Sequence, residues 1–103
     1  ENIQPEEIEQ WLNRLDSIEQ TIVVPVRNDE FGFRPVAFIK TIAGASLHKA
    51  DLDGFLERHL PRFKIPDQFY HWPDHFASGD LKIQRRHLIQ FAFEQSQSVQ
   101  QIH

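Results

Sequence analysis

The chain has 103 residues, 40% of them hydrophobic and 25% charged, which suits one soluble globular domain with a core of its own. Its formal net charge of −4 argues against nucleic acid as a general partner, because neutralising phosphates needs clustered Lys and Arg in excess. The absence of cysteine excludes disulfides, thiolate catalysis and zinc-ribbon chemistry, and no apolar run approaches the ~20 residues of a membrane span. A cytoplasmic location is the expectation.

The chain begins at Glu1 without Met and meets a helix signal at once, from which we expect a piece cut at a domain boundary of a longer protein. Residues 3–15 carry that signal. Gln4 is a poor but usable N-cap, Pro5 falls at the first helical position, and Glu6 and Glu7 occupy the first turn, where the dipole favours acid. Glu7 stands where a capping-box glutamate would, and Ile3 can staple against Ile8. Ile8, Trp11, Leu12 and Leu15 keep the i, i+3, i+4, i+7 spacing of a buried face. Thr21 to Val26 is a β-branched run that reads as a buried strand. Pro25 has no N–H to give a ladder and belongs at the strand's end or on a sheet edge. Asn28 to Gly32 is turn chemistry and Pro35 to Ile42 a second strand, so an antiparallel hairpin is expected.

Ala43 to Ser46 is a loop. Leu52, Phe55, Leu56 and Leu60 mark a second amphipathic helix, stopped by Pro61 and carrying Gly54 at a cost of about 1 kcal/mol relative to Ala. Gln68 to Trp72 reads as a third strand ended by Pro73. After a polar loop, Lys82 and Ile83 are extended and lead into a terminal helix over Gln84–Gln95, with a polar tail from Ser96 expected to fray. The order implies an α+β fold: a small antiparallel or mixed sheet of about three strands plus a short hairpin, with three helices packed on it. It lacks the βαβ unit and Gly-rich fingerprint of a dinucleotide-binding fold.

Lys82 is the first candidate for chemistry. A lysine on a loop between ordered elements can be aimed at a substrate, whereas one on a helix face is usually solvated. Gly79 frees the backbone before it, Leu81 and Ile83 can anchor either side, and Arg85 offers a second donor. Taken alone, a surface lysine remains the plainer reading, and no acid, base or nucleophile beside it completes an active site. His71 and His75 have H-x-x-x-H spacing, but Pro73 between them removes the helical geometry that makes such pairs chelate, so no metal site is expected. His59 and His87 read as partly exposed helical residues. Glu6, Glu7 and Glu9, like Asp51 and Asp53, read as helix-start charge rather than paired catalysts. Phe31, Phe33, Phe38, Phe69 and Trp72 lie in or beside strands and are assigned to core packing rather than base stacking. Arg58, Arg62 and Lys64 gather, as do Lys82, Arg85 and Arg86. Such clusters can serve a phosphate-bearing small ligand or, in a non-enzymatic binding module, an acidic partner.

Leu60-Pro61-Arg62-Phe63-Lys64-Ile65-Pro66 and Ser78-Gly79-Asp80-Leu81-Lys82-Ile83-Gln84-Arg85 together resemble the last two core motifs of adenylate-forming enzymes, the acyl-CoA synthetase and peptide-synthetase adenylation superfamily. Ile3-Gln4-Pro5-Glu6-Glu7-Ile8-Glu9 is similar to the end of that family's hinge-side motif. Val24-Pro25-Val26, Glu30-Phe31-Gly32 and Arg34-Pro35-Val36-Ala37-Phe38 resemble the hairpin of its mobile C-terminal domain. One departure is plain: Asp80-Leu81 separates Gly79 from Lys82, where the family has Gly directly before the lysine. Within the family, the opening motif and the S-G-x-L-K-I-x-R loop are most similar to bacterial o-succinylbenzoate–CoA ligases of menaquinone biosynthesis. The resemblance implies that residues 1–103 are a mobile C-terminal domain working with a large N-terminal ATP- and acyl-binding domain. It implies a two-step ligation of a small-molecule carboxylate, using ATP with Mg2+ and then CoA, with Lys82 catalytic and Arg85 and Lys64 as cofactor contacts. It also implies that the piece alone binds none of these cofactors and is inactive.

Overall fold

The computed structural model describes residues 3–30, 32–72 and 100–103. Along the described chain run α1 (Pro5–Leu12), β1 (Ile18–Asn28), β2 (Gly32–Thr41), α2 (Lys49–Glu57), a 3-10 turn (Arg62–Lys64), β3 (Gln68–His71) and β4 (Gln101–Ile102). The described strands form one mixed sheet in the order β1-β2-β3-β4. The β1–β2 and β3–β4 pairs are antiparallel and β2–β3 is parallel. This is the α+β class the element order implied. The third expected helix, Gln84–Gln95, lies outside the described residues, as do the polar loop, Pro73 and Phe31. Among the described residues no helix is long and apolar enough to cross a membrane.

α1 starts where the sequence placed it, with Gln4 extended at the N-cap and Pro5 at the first helical position. It stops earlier than expected, at Leu12. Successive short bonds from Arg14 N–H to Trp11, Leu15 N–H to Leu12 and Ile18 N–H to Leu15 then carry the chain into β1. Leu15 still packs on the core from that turn, so the spacing marked a buried position although the helix had ended.

Both hairpin strands exceed the apolar runs that announced them. β1 continues through Arg27 and Asn28, and β2 begins at Gly32, because cross-strand pairing carries polar residues whose side chains face solvent. Glu30 N–H donates to Asn28 Oδ1 at 2.9 Å, and Gly32, at φ +81°, opens β2 in a conformation that favours glycine. Pro25 lies inside β1 rather than at its end, but among the described strands β1 lies at the edge of the sheet. It stands directly opposite Pro35. The Pro35 carbonyl accepts from Asp67 N–H, on the β3 side, so this proline pair occupies a position where neither N–H is needed between the two strands.

The sheet buries side chains on both faces. One face packs with α1 and α2 around Ile8, Leu12, Val23, Ile39, Leu56 and Phe69, and the other holds Ile22, Val24, Val36, Phe38, Tyr70 and Trp72. An irregularity in register between Ile18 and Gln20 resets the alternation, which lets Ile18 join Val23 on the helix-covered face. Two-sided burial explains the unbroken apolar runs in β1 and β2.

Two further expectations fail. The polar tail does not fray at residues 100–103: Gln101–Ile102 pairs with Tyr70 and Phe69, and Ile102 is 2% exposed in the core. The His103 carbonyl accepts from Lys49 N–H at the start of α2, and the Gln100 carbonyl from His71 N–H. The open edge of β3 supplies what a polar sequence cannot announce, a ready set of backbone partners for one isoleucine. Phe33 is not core. It is 57% exposed near the hairpin end, opposite Arg27 and beyond the reach of either apolar cluster.

Candidate functional site

The segment Leu60–Pro66 carries the chain from α2 to β3. Pro61 is extended and caps the 3-10 turn, whose bonds run from Lys64 N–H to Pro61 and from Ile65 N–H to Arg62 at 3.0 and 3.1 Å. Leu60 and Ile65 are buried on either side, leaving Arg62 exposed and Phe63 and Lys64 half-buried between them. Hydrophobic anchors thus fix the ends of the segment and leave Arg62 facing outward.

Arg34 reaches this segment from β2. Its Nη1 donates to the Phe63 carbonyl at 2.7 Å and its Nη2 to the Ile65 carbonyl at 3.1 Å. Nε and Nη2 also donate to Asp67 Oδ1, at 3.0 and 2.8 Å. A rigid, planar five-donor fork can meet two carbonyls and a carboxylate at once. A cavity of about 350 Å³ lies here, with Arg27, Arg34, Asp67 and Gln68 among its walls.

Lys64 is held by its charge as well. Its Nζ donates to Glu7 Oε1 at 2.6 Å, joining the first turn of α1 to the 3-10 turn. The capping box expected of Glu7 is not formed: Gln4 makes no side-chain cap bond, and the carboxylate takes the ammonium instead. A fully charged donor is the stronger partner for a carboxylate than a peptide N–H. Two turns of chemistry expected to be inert solvated charge therefore do structural work, since Glu9 also accepts, from Val23 N–H at 2.8 Å. That bond covers an outward-facing amide on the sheet edge.

The basic gathering at residues 58–64 divides its labour. The Arg58 guanidinium lies 5.8 Å from the Phe55 ring centroid, Lys64 is paired with Glu7, and Arg62 is exposed. His59, expected to be a partly exposed helical residue, follows α2 and stacks on Trp11 with centroids 3.9 Å apart, while Arg14 sits 4.5 Å over the same indole. His71 ends β3. His75, His87, Lys82, Arg85 and Arg86 lie outside the described residues. Of the candidate site residues singled out from sequence, the described structure contains Lys64, half-buried on this clamped turn with its ammonium paired to Glu7. Sequence reasoning missed Arg34 as the clamp. Its one signal was a guanidinium beside Pro35 in a strand otherwise apolar from Val36 to Ile39.

The family described as AMP-binding enzyme C-terminal domain matches residues 7–76, well over half of the chain. The chain belongs to that family. AMP-binding enzyme C-terminal domains are thereby the setting for the Leu60–Pro66 segment and for α1 and the hairpin. The chain is 37% identical over 94 residues to the 2-succinylbenzoate–CoA ligase of Salmonella typhimurium, covering 91% of this chain and 20% of that protein. It is 43% identical over 89 residues to the 2-succinylbenzoate–CoA ligase of Haemophilus influenzae, covering 85% and 20%. The fold is similar to that of a variant of Escherichia coli MenE with bound OSB-AMS, at TM-score 0.79 and 30% identity, covering 92% and 20%. The chain thus spans about a fifth of the length of these relatives.

Proposed function

We propose that this chain is the C-terminal domain of an ATP-dependent acid–CoA ligase acting on 2-succinylbenzoate, in menaquinone biosynthesis. The observation that carries the reading is its identity of 37% and 43% with two 2-succinylbenzoate–CoA ligases over most of its own length. The reaction is a carboxylate attack on the α-phosphate of ATP, giving acyl-adenylate and pyrophosphate, followed by displacement of AMP by the CoA thiol. The domain works against a large N-terminal domain and swings between two orientations, one for each step.

In the first orientation Lys82 enters the site. An ammonium suits that position because negative charge is shared there among the carboxylate, the α-phosphate and the departing pyrophosphate. Arg85 and Lys64 contact the phosphate-bearing cofactors; Lys64 does so from the turn that Arg34 and Glu7 hold. Among the described residues no three His, Asp or Glu side chains converge on a metal position. In this reading Mg2+ accompanies the triphosphate of ATP, and no step here is routed through residues of this domain binding it.

The test is to measure the two half-reactions separately in the full-length protein. Lys82→Ala is expected to slow acyl-adenylate formation from 2-succinylbenzoate and ATP by about 10²–10³, the worth of one fixed donor in a water-poor site. Thioester formation from preformed acyl-adenylate and CoA should stay near wild type. Equal losses in both steps would mean that Lys82 is structural. Absence of CoA-thioester formation by the unaltered full-length protein would refute the ligase reading, and pyrophosphate release by the 103-residue chain alone would refute the two-domain reading.

A further inference from the structure

We infer that Arg34 is a positioning residue for Lys64; the inference rests on the reading of Lys64 as a cofactor contact. The Phe63 and Ile65 carbonyls that Arg34 binds belong to the residues immediately before and after Lys64. The bond to the Phe63 carbonyl fixes the peptide plane entering Lys64, and the Ile65 N–H bond to the Arg62 carbonyl holds the plane leaving it. The bond to the Ile65 carbonyl pins the next plane along, so together they set the direction in which the Lys64 Cα–Cβ bond leaves the backbone. The rest of the clamp is closed on itself. Asp67 Oδ1 accepts two bonds from the same guanidinium, and Asp67 N–H returns to the Pro35 carbonyl next to Arg34.

The Arg34 side chain is 16% exposed, and its bonds to the two carbonyls are partly shielded from water, where geometry counts for more than in solvent, while those to Asp67 are exposed. Lysine cannot reproduce them. Its ammonium is a point charge on a flexible stem and does not present a planar fork to two carbonyls and a carboxylate. Glu7 completes the arrangement by holding the Lys64 ammonium at 2.6 Å, leaving it donors to spare for an anion. Backbone direction is thus set by β2 and ammonium position by α1. A lysine steered from two elements is aimed rather than merely tethered.

The experiment is a double-mutant cycle in the full-length ligase, reading KM for ATP, KM for CoA and kcat. Lys64→Ala should raise one of the two KM values. Arg34→Lys should raise that same KM by about tenfold with kcat within about twofold, the size expected of losing charge-assisted bonds that position a ligand contact. In the Lys64→Ala background Arg34→Lys should raise it no further, since the effect passes through Lys64. A purely structural Arg34 would lower the melting temperature and leave KM alone, or would multiply KM by the same factor in both backgrounds; either result overturns the inference. No change in either KM on Lys64→Ala would instead overturn the cofactor reading of Lys64 itself. Should Arg34→Lys fail to fold, Asp67→Asn keeps the fork and removes its counter-ion. It should raise the same KM by about two- to threefold, only when Lys64 is present, and an unchanged KM refutes the inference.

Discussion

Replacing Ile102 with alanine tests whether the last residues belong to the fold. Ile102 is 2% exposed, pairs with Phe69, and packs in the cluster that includes Ile8, Leu12, Leu52 and Leu56. Truncating a buried isoleucine to alanine costs about 2–5 kcal/mol, made up of lost transfer energy and the cavity left behind. β4 is only two residues long and can settle inward, so the lower end applies, about 2–3 kcal/mol. For a domain of this size that corresponds to a fall in Tm on the order of 10–20 °C. Against a total stability of about 5–15 kcal/mol, the variant should still fold. Urea unfolding of the 103-residue chain should show a lower midpoint with an unchanged slope, and a thermal scan followed by circular dichroism the matching fall in Tm. Gln100→Ala is the control. Its carbonyl bond from His71 survives the change, so its stability should stay within about 0.5 kcal/mol of wild type. An Ile102→Ala variant as stable as that control would refute the argument and return the tail to the frayed state its composition suggested.

Gly44 has φ +82° and Gly54 sits in α2, and a Cβ at either would meet nothing within 4 Å, so only backbone preference separates them. Urea midpoints should move in opposite directions: Gly44→Ala destabilising by about 1–2 kcal/mol and Gly54→Ala stabilising by about 1 kcal/mol. Glu9→Ala removes the acceptor of Val23 N–H and should cost about 1–3 kcal/mol, with Glu9→Gln recovering part of it because an acceptor oxygen remains. A Glu9→Gln variant no more stable than Glu9→Ala in urea unfolding would count against that account. Burial raises the pKa of Tyr70 above its ordinary value of 10.0. Below about pH 10 both states keep the phenol proton, whereas above it the unfolded chain loses that proton first, so the contribution of Tyr70 to stability is lost as pH rises. Wild type should therefore lose stability relative to Tyr70→Phe as pH rises past about 10, and parallel pH profiles would show the burial to be without consequence.

The elements that could be read from sequence were those whose signal is local. Pro5 with Glu6 and Glu7 marks a helix start through one turn of backbone, and Ile22 to Val24 and Ala37 to Ile39 announce strands through their own side chains. Element ends were less legible because they are decided elsewhere. α1 ends at Leu12 although Leu15 keeps its periodicity, since the short turns that follow serve the same burial. β4 has no signal of its own: two residues in a polar run become a strand only because β3 presents an unpaired edge and the α2 start a backbone donor. Phe33 shows the converse error, an aromatic in a strand whose position in the sheet lies beyond the core.

The candidate site was half legible for a related reason. Lys64 could be named because the motif around it displays the residue type directly. Arg34 could not, because its partners are two main-chain carbonyls and Asp67, 29 to 33 residues away. Carbonyls carry no residue identity, so no spacing in a sequence points to them. The same holds for Glu7 and Glu9, which read as helix-start charge until their acceptors' partners, an ammonium 57 residues on and a strand amide 14 residues on, are located. A guanidinium that orders backbone has no pattern to be recognised by, yet it governs the direction of a side chain that has one. Residues that act through the main chain are therefore where a reading of motifs stops, and where the arrangement of Arg34, Lys64 and Glu7 adds to it.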